Sequence, residues 1–248
     1  MRSPRRIALP VLVLLAGPSA CGGARRSGRA ESEPPPAPAE EVGPRVDAVA
    51  ELRGRGAVVR EWRPSPEARR RPGIDCRIEE GLILLRGPTG VRYGRPLYLR
   101  GPFALRVARF EAIAQEEAGQ LFGKRLERIE HLGTYVCRAI AGAPGVASEH
   151  ASANAIDVSA FVLRGGQRIT AARDFVRGGR DAAAPAGRFL ARVLERARDE
   201  RLFGTVLTPD FDAHHSNHFH LDGRRGEWWR FWRHLPGLST TTDHTPDT

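Results

Sequence analysis

In the stretch 103–122, apolar residues fall at Phe103, Val107, Phe110, Ile113, Ala114 and Leu121, with a polar face over Gln115 to Glu117. That spacing turns one side of a helix toward a core, and Gly123 supplies the stop signal. A second helix is predicted over 185–201, where Phe189, Val193, Leu194 and Ala197 share a side. Elsewhere the pattern is that of strands. Residues 73–101 alternate apolar runs with Gly and Pro turns, which predicts short strands around Ile83 and Leu97. Residues 126–133 read as a strand, and 152–170 as two strands joined by a turn at Gly165-Gly166. FGTVLTP (203–209) and NHFHLD (217–222) read as two more. Helix, strands, hairpin, helix, strands is an α+β order, so a small, mostly antiparallel sheet with flanking helices is expected. The pattern shows no internal repeat and no membrane-spanning run.

The chain outside that pattern changes the picture of where the protein works. Residues 1–21 have a charged start (Arg2, Arg5, Arg6), an apolar stretch IALPVLVLLAG, and small residues before Cys21. This reads as an export signal, shorter than the roughly twenty residues of a spanning helix. The ending PSAC followed by Gly22-Gly23 resembles the lipobox of bacterial lipoproteins, in which the cysteine becomes the lipidated first residue; Pro18, where Leu or Val is usual, leaves a plain secretory signal open. Residues 22–46, rich in Pro, Glu and Arg, are expected to be a disordered tether, because so little apolar surface cannot offset the entropy of ordering. Residues 47–72 are expected to be a partly ordered lead-in, 73–235 the folded domain, and 236–248 a disordered tail.

The formal charge of +10 suits polyanionic surfaces, although Lys124 is the one lysine among 39 basic residues and such an arginine bias reflects coding as readily as function. In an exported chain, nucleic acid is not an expected partner. With Cys21 assigned to the signal, Cys76 and Cys137 remain, either as a disulfide of an exported protein or as two buried thiols.

Two segments carry the candidate chemistry: SEHASANAID (148–157) and HHSNHFHLD (214–222). Residues two apart in a strand share a face, so His218 and His220 can face one ion while Phe219 turns away. Asp157 lies among Ala155, Ile156 and Val158, where a carboxylate is costly to bury unless paired or bound to metal. His150 lies just before it. A His, Asp, His set leaves a fourth position on zinc for water; a salt-bridged Asp157 and a surface strand bearing two histidines are the competing readings.

GTYVCR (133–138), SEHASANAIDVSAF (148–161) with its following Gly pair, FGTVL and HHSNHFHLD together resemble the extensin-like C-terminal domain of bacteria. That domain is similar to the zinc peptidases that cut D-amino-acid peptides of peptidoglycan, a group including D-Ala-D-Ala carboxypeptidases, murein endopeptidases and lysostaphin-type enzymes. The resemblance runs from about residue 73 to 223 and implies a D-Ala-D-Ala metallopeptidase-like fold with zinc on the sheet. It implies ligation of Zn2+ by His150, Asp157 and His220, with His218 as general base. His215 matches a further active-site histidine of some murein endopeptidases. Tyr135 and Arg138 match a YR segment whose arginine contacts the substrate carbonyl or carboxylate, and Ser148 would orient the His150 loop. The implied activity is hydrolysis of amide bonds in murein stem peptides or cross-links, by an enzyme of the cell envelope reaching peptidoglycan from a membrane anchor at Cys21. The alternative is a zinc-containing lipoprotein that binds the cell wall without cutting it. Two departures stand out: a second cysteine pair common in the family is absent at 99–101 and 201–203, and Ala153 replaces a common Gly.

Overall fold

The two predicted helices pack on one face of an eight-stranded sheet in the computed structural model, which describes residues 47–67, 70–71, 73–78, 80–176 and 183–224. The chain runs α1 (Ala48–Gly54), β1 (Val58–Trp62), a small ribbon of β2 (Arg70–Arg71) and β3 (Ile74–Asp75), β4 (Gly81–Arg86), β5 (Arg92–Arg100), α2 (Gly101–Phe122) and β6 (Leu126–His131). A second ribbon, β7 (Ala139–Ile140) and β8 (Ala143–Ala147), leads to a single 3-10 turn at Glu149–Ser152. Then follow β9 (Ala155–Leu163), β10 (Arg168–Thr170), α3 (Ala171–Asp174), α4 (Pro185–Asp199), β11 (Thr205–Leu207) and β12 (Phe219–Asp222).

The main sheet has the order β1-β4-β5-β6-β9-β12-β11, with β10 also pairing to β9. Every pairing is antiparallel except β5 with β6, because α2 forms the crossover between those two strands. The sheet is thus mixed and larger than expected from the sequence. Ile156, Val158, Phe219 and Leu221 bury their side chains in the core with Phe103, Phe110 and Phe189 of the helices. By strand alternation Asp157 and His220 face the other way.

Several local expectations meet their physical reason here. Gly123 closes α2 in the left-handed region at φ 61°, where a side chain would be strained. Gly165 and Gly166 both take positive φ in the β9–β10 turn. The lead-in expected at 47–72 is corrected: β1 pairs with β4, and Leu52 and Val59 are buried in the main core, so the domain begins before Gly73. Asp47 caps α1 by accepting hydrogen bonds from the Val49 and Ala50 amides. Glu117, expected on the polar face of α2, is buried instead; it pairs with Arg192 at 2.7 Å and Arg196 at 3.0 Å and joins α2 to α4.

Cys76 and Cys137 form a disulfide with Cα atoms 5.6 Å apart, which decides between the two readings of these cysteines. They build a small second core with Ala151, Ile74 and Tyr135. Closing a 61-residue separation constrains the unfolded chain by about 4 kcal/mol on the chain-entropy account. The bond fits an extracellular or periplasmic location. The signal segment with Cys21, the tether and the tail at 236–248 lie outside the described residues. Among the described residues no helix is long and apolar enough to cross a membrane.

Candidate metal centre

On the open face of the sheet, Asp157 of β9 and His220 of β12 stand directly opposite one another in the strand register. His150 reaches the same point from the 3-10 turn. Ser148 caps that turn, its hydroxyl accepting from the His150 amide at 3.4 Å, so its part is to hold the loop. The turn ends at Ala153, whose φ of 53° is left-handed. A glycine adopts that conformation without strain.

The His150 Nε2, Asp157 Oδ1 and His220 Nδ1 atoms form a triangle with edges of 3.2, 3.3 and 2.9 Å. A tetrahedral site with bonds of about 2.0–2.1 Å has ligand separations of roughly 3.3 Å, so a single ion fits between them. The outer atoms of both rings are committed elsewhere. His150 Nδ1–H donates to the Thr134 carbonyl at 2.6 Å, and His220 Nε2–H donates to the Asp222 carboxylate at 3.2 Å. Such partners fix the tautomer that turns a lone pair inward, and they orient the ring.

The electrostatics follow from this crowding. Burial works against the Asp157 charge, but hydrogen bonds with His150 and His220 hold its carboxyl well below the usual carboxylate range. Burial alone would lower the His220 pKa; bonding to Asp157 and Asp222 pushes it up to about 9. The centre therefore calls for one positive charge. A proton on His220 Nδ1 satisfies only the contact to Asp157 and leaves the His150 lone pair facing His220. A metal cation satisfies all three atoms at once, displacing that proton as it binds.

A comparison of the chain with protein families matches the family described as "Extensin-like protein C-terminus" over residues 55–233. The chain belongs to this family. No curated protein and no solved structure matches it. The matched range of the extensin-like domain takes in β1, in agreement with the place of that strand in the sheet.

The other candidate residues of the extensin-like domain divide into those gathered at the centre and those turned away. His218 is buried, with Nε2 3.6 Å from Asp157 Oδ1 and Nδ1 held by Asn217 Oδ1 at 2.8 Å. Burial lowers its pKa; the Asp157 charge opposes this, and the surrounding His215, His220 and His150 add to the lowering. It stands beside the triangle, and three of the four clustered residues make up the ligand group. The His215 ring lies 5.2 Å from that of His218 and 6.1 Å from that of His220, centroid to centroid. Its Nδ1–H donates to Asp212 at 2.7 Å. His214 is exposed.

Arg138 is not part of the triangle. Its guanidinium is exposed and donates to the neighbouring Ala139 carbonyl at 3.3 Å; among the described residues it makes no bond to the triangle. Tyr135 packs beside the disulfide and edge-on against Trp62, with centroids 5.1 Å apart, while Trp62 meets Tyr98 at 5.0 Å. It thus forms part of an aromatic wall next to Thr134.

Sequence reasoning passed over Asp222, Thr134, Asn217 and Asp212. For Asp222 a signal was present: it follows His220 by two residues in a strand, and so shares its face. Thr134 acts through its backbone carbonyl, which no residue pattern announces.

Proposed function

We propose that the protein is a zinc-dependent peptidase of peptidoglycan that hydrolyses amide bonds in murein stem peptides or cross-links. The observation that carries this reading is the convergence of His150 Nε2, Asp157 Oδ1 and His220 Nδ1 on one point, with each ring fixed from behind. Two imidazoles and one carboxylate are a donor set suited to zinc with a position left open. Zinc held there supplies an acidified water and an electrophilic contact for the amide carbonyl.

The remaining steps belong to the chain. His218 accepts the proton of the attacking water at Nε2, the nitrogen left bare when Nδ1–H is bonded to Asn217, and returns it to the departing amine. Its lowered pKa keeps it neutral and able to accept at neutral pH. Asp157 also lies within 3.6 Å of that nitrogen and stabilises the imidazolium formed in between. Arg138 or His215, the latter set beside His218 and His220 by Asp212, steadies the developing oxyanion. The disulfide and family membership support an envelope location, where peptidoglycan is the abundant amide substrate.

The test is digestion of purified peptidoglycan by the full chain with and without chelator, the fragments being read by mass. Chelation is expected to stop cleavage and zinc to restore it. An Asp157→Ala protein that still cuts would overturn the proposal.

A further inference from the structure

Beside the candidate centre lies a second cleft of about 300 Å3, lined by Leu132, Ser159, Arg168, Thr170, Arg173 and Asn217 among others. Two of these residues tie it to the chemistry. Ser159 follows Asp157 by two positions on β9 and shares its face, which sets it about 7 Å along the strand. Asn217 precedes His218 and holds its ring at 2.8 Å.

The polar lining of this cleft consists of donors. Arg168 and Arg173 each bring a guanidinium, Asn217 an amide and Ser159 a hydroxyl, and among the described residues no carboxylate lines the wall. The acids stand behind. Glu130 holds Arg168 through Nε at 2.9 Å and Nη2 at 2.8 Å, and Asp174 holds Arg173 through Nε at 3.0 Å and Nη2 at 2.9 Å, so an anion in the cleft would meet the Nη1 end of each guanidinium. Arg173 also donates to the Arg168 carbonyl at 2.9 Å, and the Thr170 hydroxyl accepts from the Arg173 amide at 3.2 Å. The two side chains are steered by these bonds yet remain 50% and 67% exposed. Two guanidinium groups oriented in this way, each with its Nη1 end left for a ligand, are suited to a planar anion that accepts one hydrogen bond from each.

We infer that this cleft binds a carboxylate of the substrate peptide and thereby sets which amide lies at the metal. The inference rests on the peptidase reading above. An extended peptide advances about 3.5 Å per residue, so a carboxylate held near Ser159 lies about two residue lengths from the scissile carbonyl. That carboxylate is either the chain terminus or a side-chain carboxylate of the stem peptide; the first makes the enzyme a trimmer of free ends and the second lets it cut within cross-links.

The experiment uses the full chain loaded with zinc and four synthetic stem peptides: the free acid, the C-terminal amide, the side-chain amide and the doubly amidated form. Binding is read by calorimetry in a His218→Ala background, so that nothing is cut during the titration. Amidating one of the two positions is expected to weaken binding about tenfold or more, the scale of a lost pair of charge-assisted contacts. Adding Arg168→Gln and Arg173→Gln is expected to abolish that acid preference while bound zinc and melting temperature stay unchanged. The position whose amidation matters identifies the source. Equal affinity for all four peptides, or an equal loss for acids and amides in the glutamine variants, overturns the inference. Because binding is read apart from cleavage, the two readings fail separately. Acid preference in a chain that never cuts removes the peptidase; cutting by the wild-type chain without acid preference removes the carboxylate cleft.

Discussion

Asp157 and Glu111 are two carboxylates withdrawn from water on opposite sides of one sheet, the first 17% exposed and the second fully buried. Burial disfavours the charge of both, yet the outcomes are opposite. Glu111 accepts from the Thr89 amide at 2.9 Å, the Thr89 hydroxyl at 2.6 Å and the Tyr93 hydroxyl at 2.5 Å, all neutral donors. Burial outweighs these bonds and raises its pKa. Asp157 meets imidazoles that can carry charge, and its pKa is lowered. Every contact around Glu111 is closed by its own neighbours, and the group acts as a clamp from α2 onto the turn between β4 and β5. A Cβ on Gly87 would fall 1.4 Å from its carboxylate, so that turn is shaped around it. The triangle at Asp157 is completed only by something added, and this open valence separates a site from a staple.

The largest break in the comparison is expected from Asp157→Ala, with bound zinc and cleavage both falling to background while folding persists, because the ligand cluster contributes little to the core. Elemental analysis and circular dichroism would check this. Glu111→Ala should do the reverse. It strands the Tyr93 hydroxyl and the Thr89 amide and is expected to cost about 3 kcal/mol, or about 6–12 °C in Tm, with zinc content per folded molecule unchanged. If Glu111→Ala loses zinc but keeps its Tm, the division drawn here between clamp and site is wrong.

Asp222→Asn probes the support behind the site. The amide can still accept from His220 Nε2–H but carries no charge, so metal affinity is expected to fall about 10–100-fold, as is typical when such a partner is changed. A competition titration with a chelating dye reads this directly. No change would place Asp222 outside the metal's reach.

How far these roles were legible in the sequence follows the range of the interactions. The helices, the Gly165-Gly166 hairpin and the His150, Asp157, His220 set are written in short spacings, because strand alternation and helical period decide which side chains share a face. The membership of β1 in the sheet was not legible, since residues 58–62 pair with β4 across a gap of Arg- and Pro-rich chain. Glu111 and Glu117 look like solvent-facing residues in sequence; only the packing of Tyr93, Arg192 and Arg196 around them makes burial tolerable.

The pH dependence of stability sharpens the contrast. The folded-state pKa of Glu111 lies above its unfolded value of 4.5. In that window the native state binds more protons than the unfolded state, so stability falls as pH rises from 4.5 through the folded pKa. In Glu111→Gln this slope is expected to vanish, so the variant gains on the wild type as pH increases. Chemical denaturation at a series of pH values measures the difference; a wild type that gains on the variant over that range would show that Glu111 is held as the charged form.

Ala153→Gly tests whether the turn that carries His150 stores strain. The left-handed φ of 53° costs an L-residue about 1–2 kcal/mol, which glycine would relieve. Against this, the buried methyl group is worth about 0.8 kcal/mol, and glycine adds up to about 1 kcal/mol of unfolded-state entropy. The terms nearly cancel, so Tm is expected to move by no more than about 3 °C, with zinc content intact. Ala153 spans the join between the two regions compared above: its amide closes the turn that carries His150, and its carbonyl accepts from Arg100 at 2.9 Å where β5 enters α2. A large gain in Tm would mean that the strain is paid by the whole fold, whereas a change in zinc affinity at constant Tm would mean that it is held locally and sets the reach of His150.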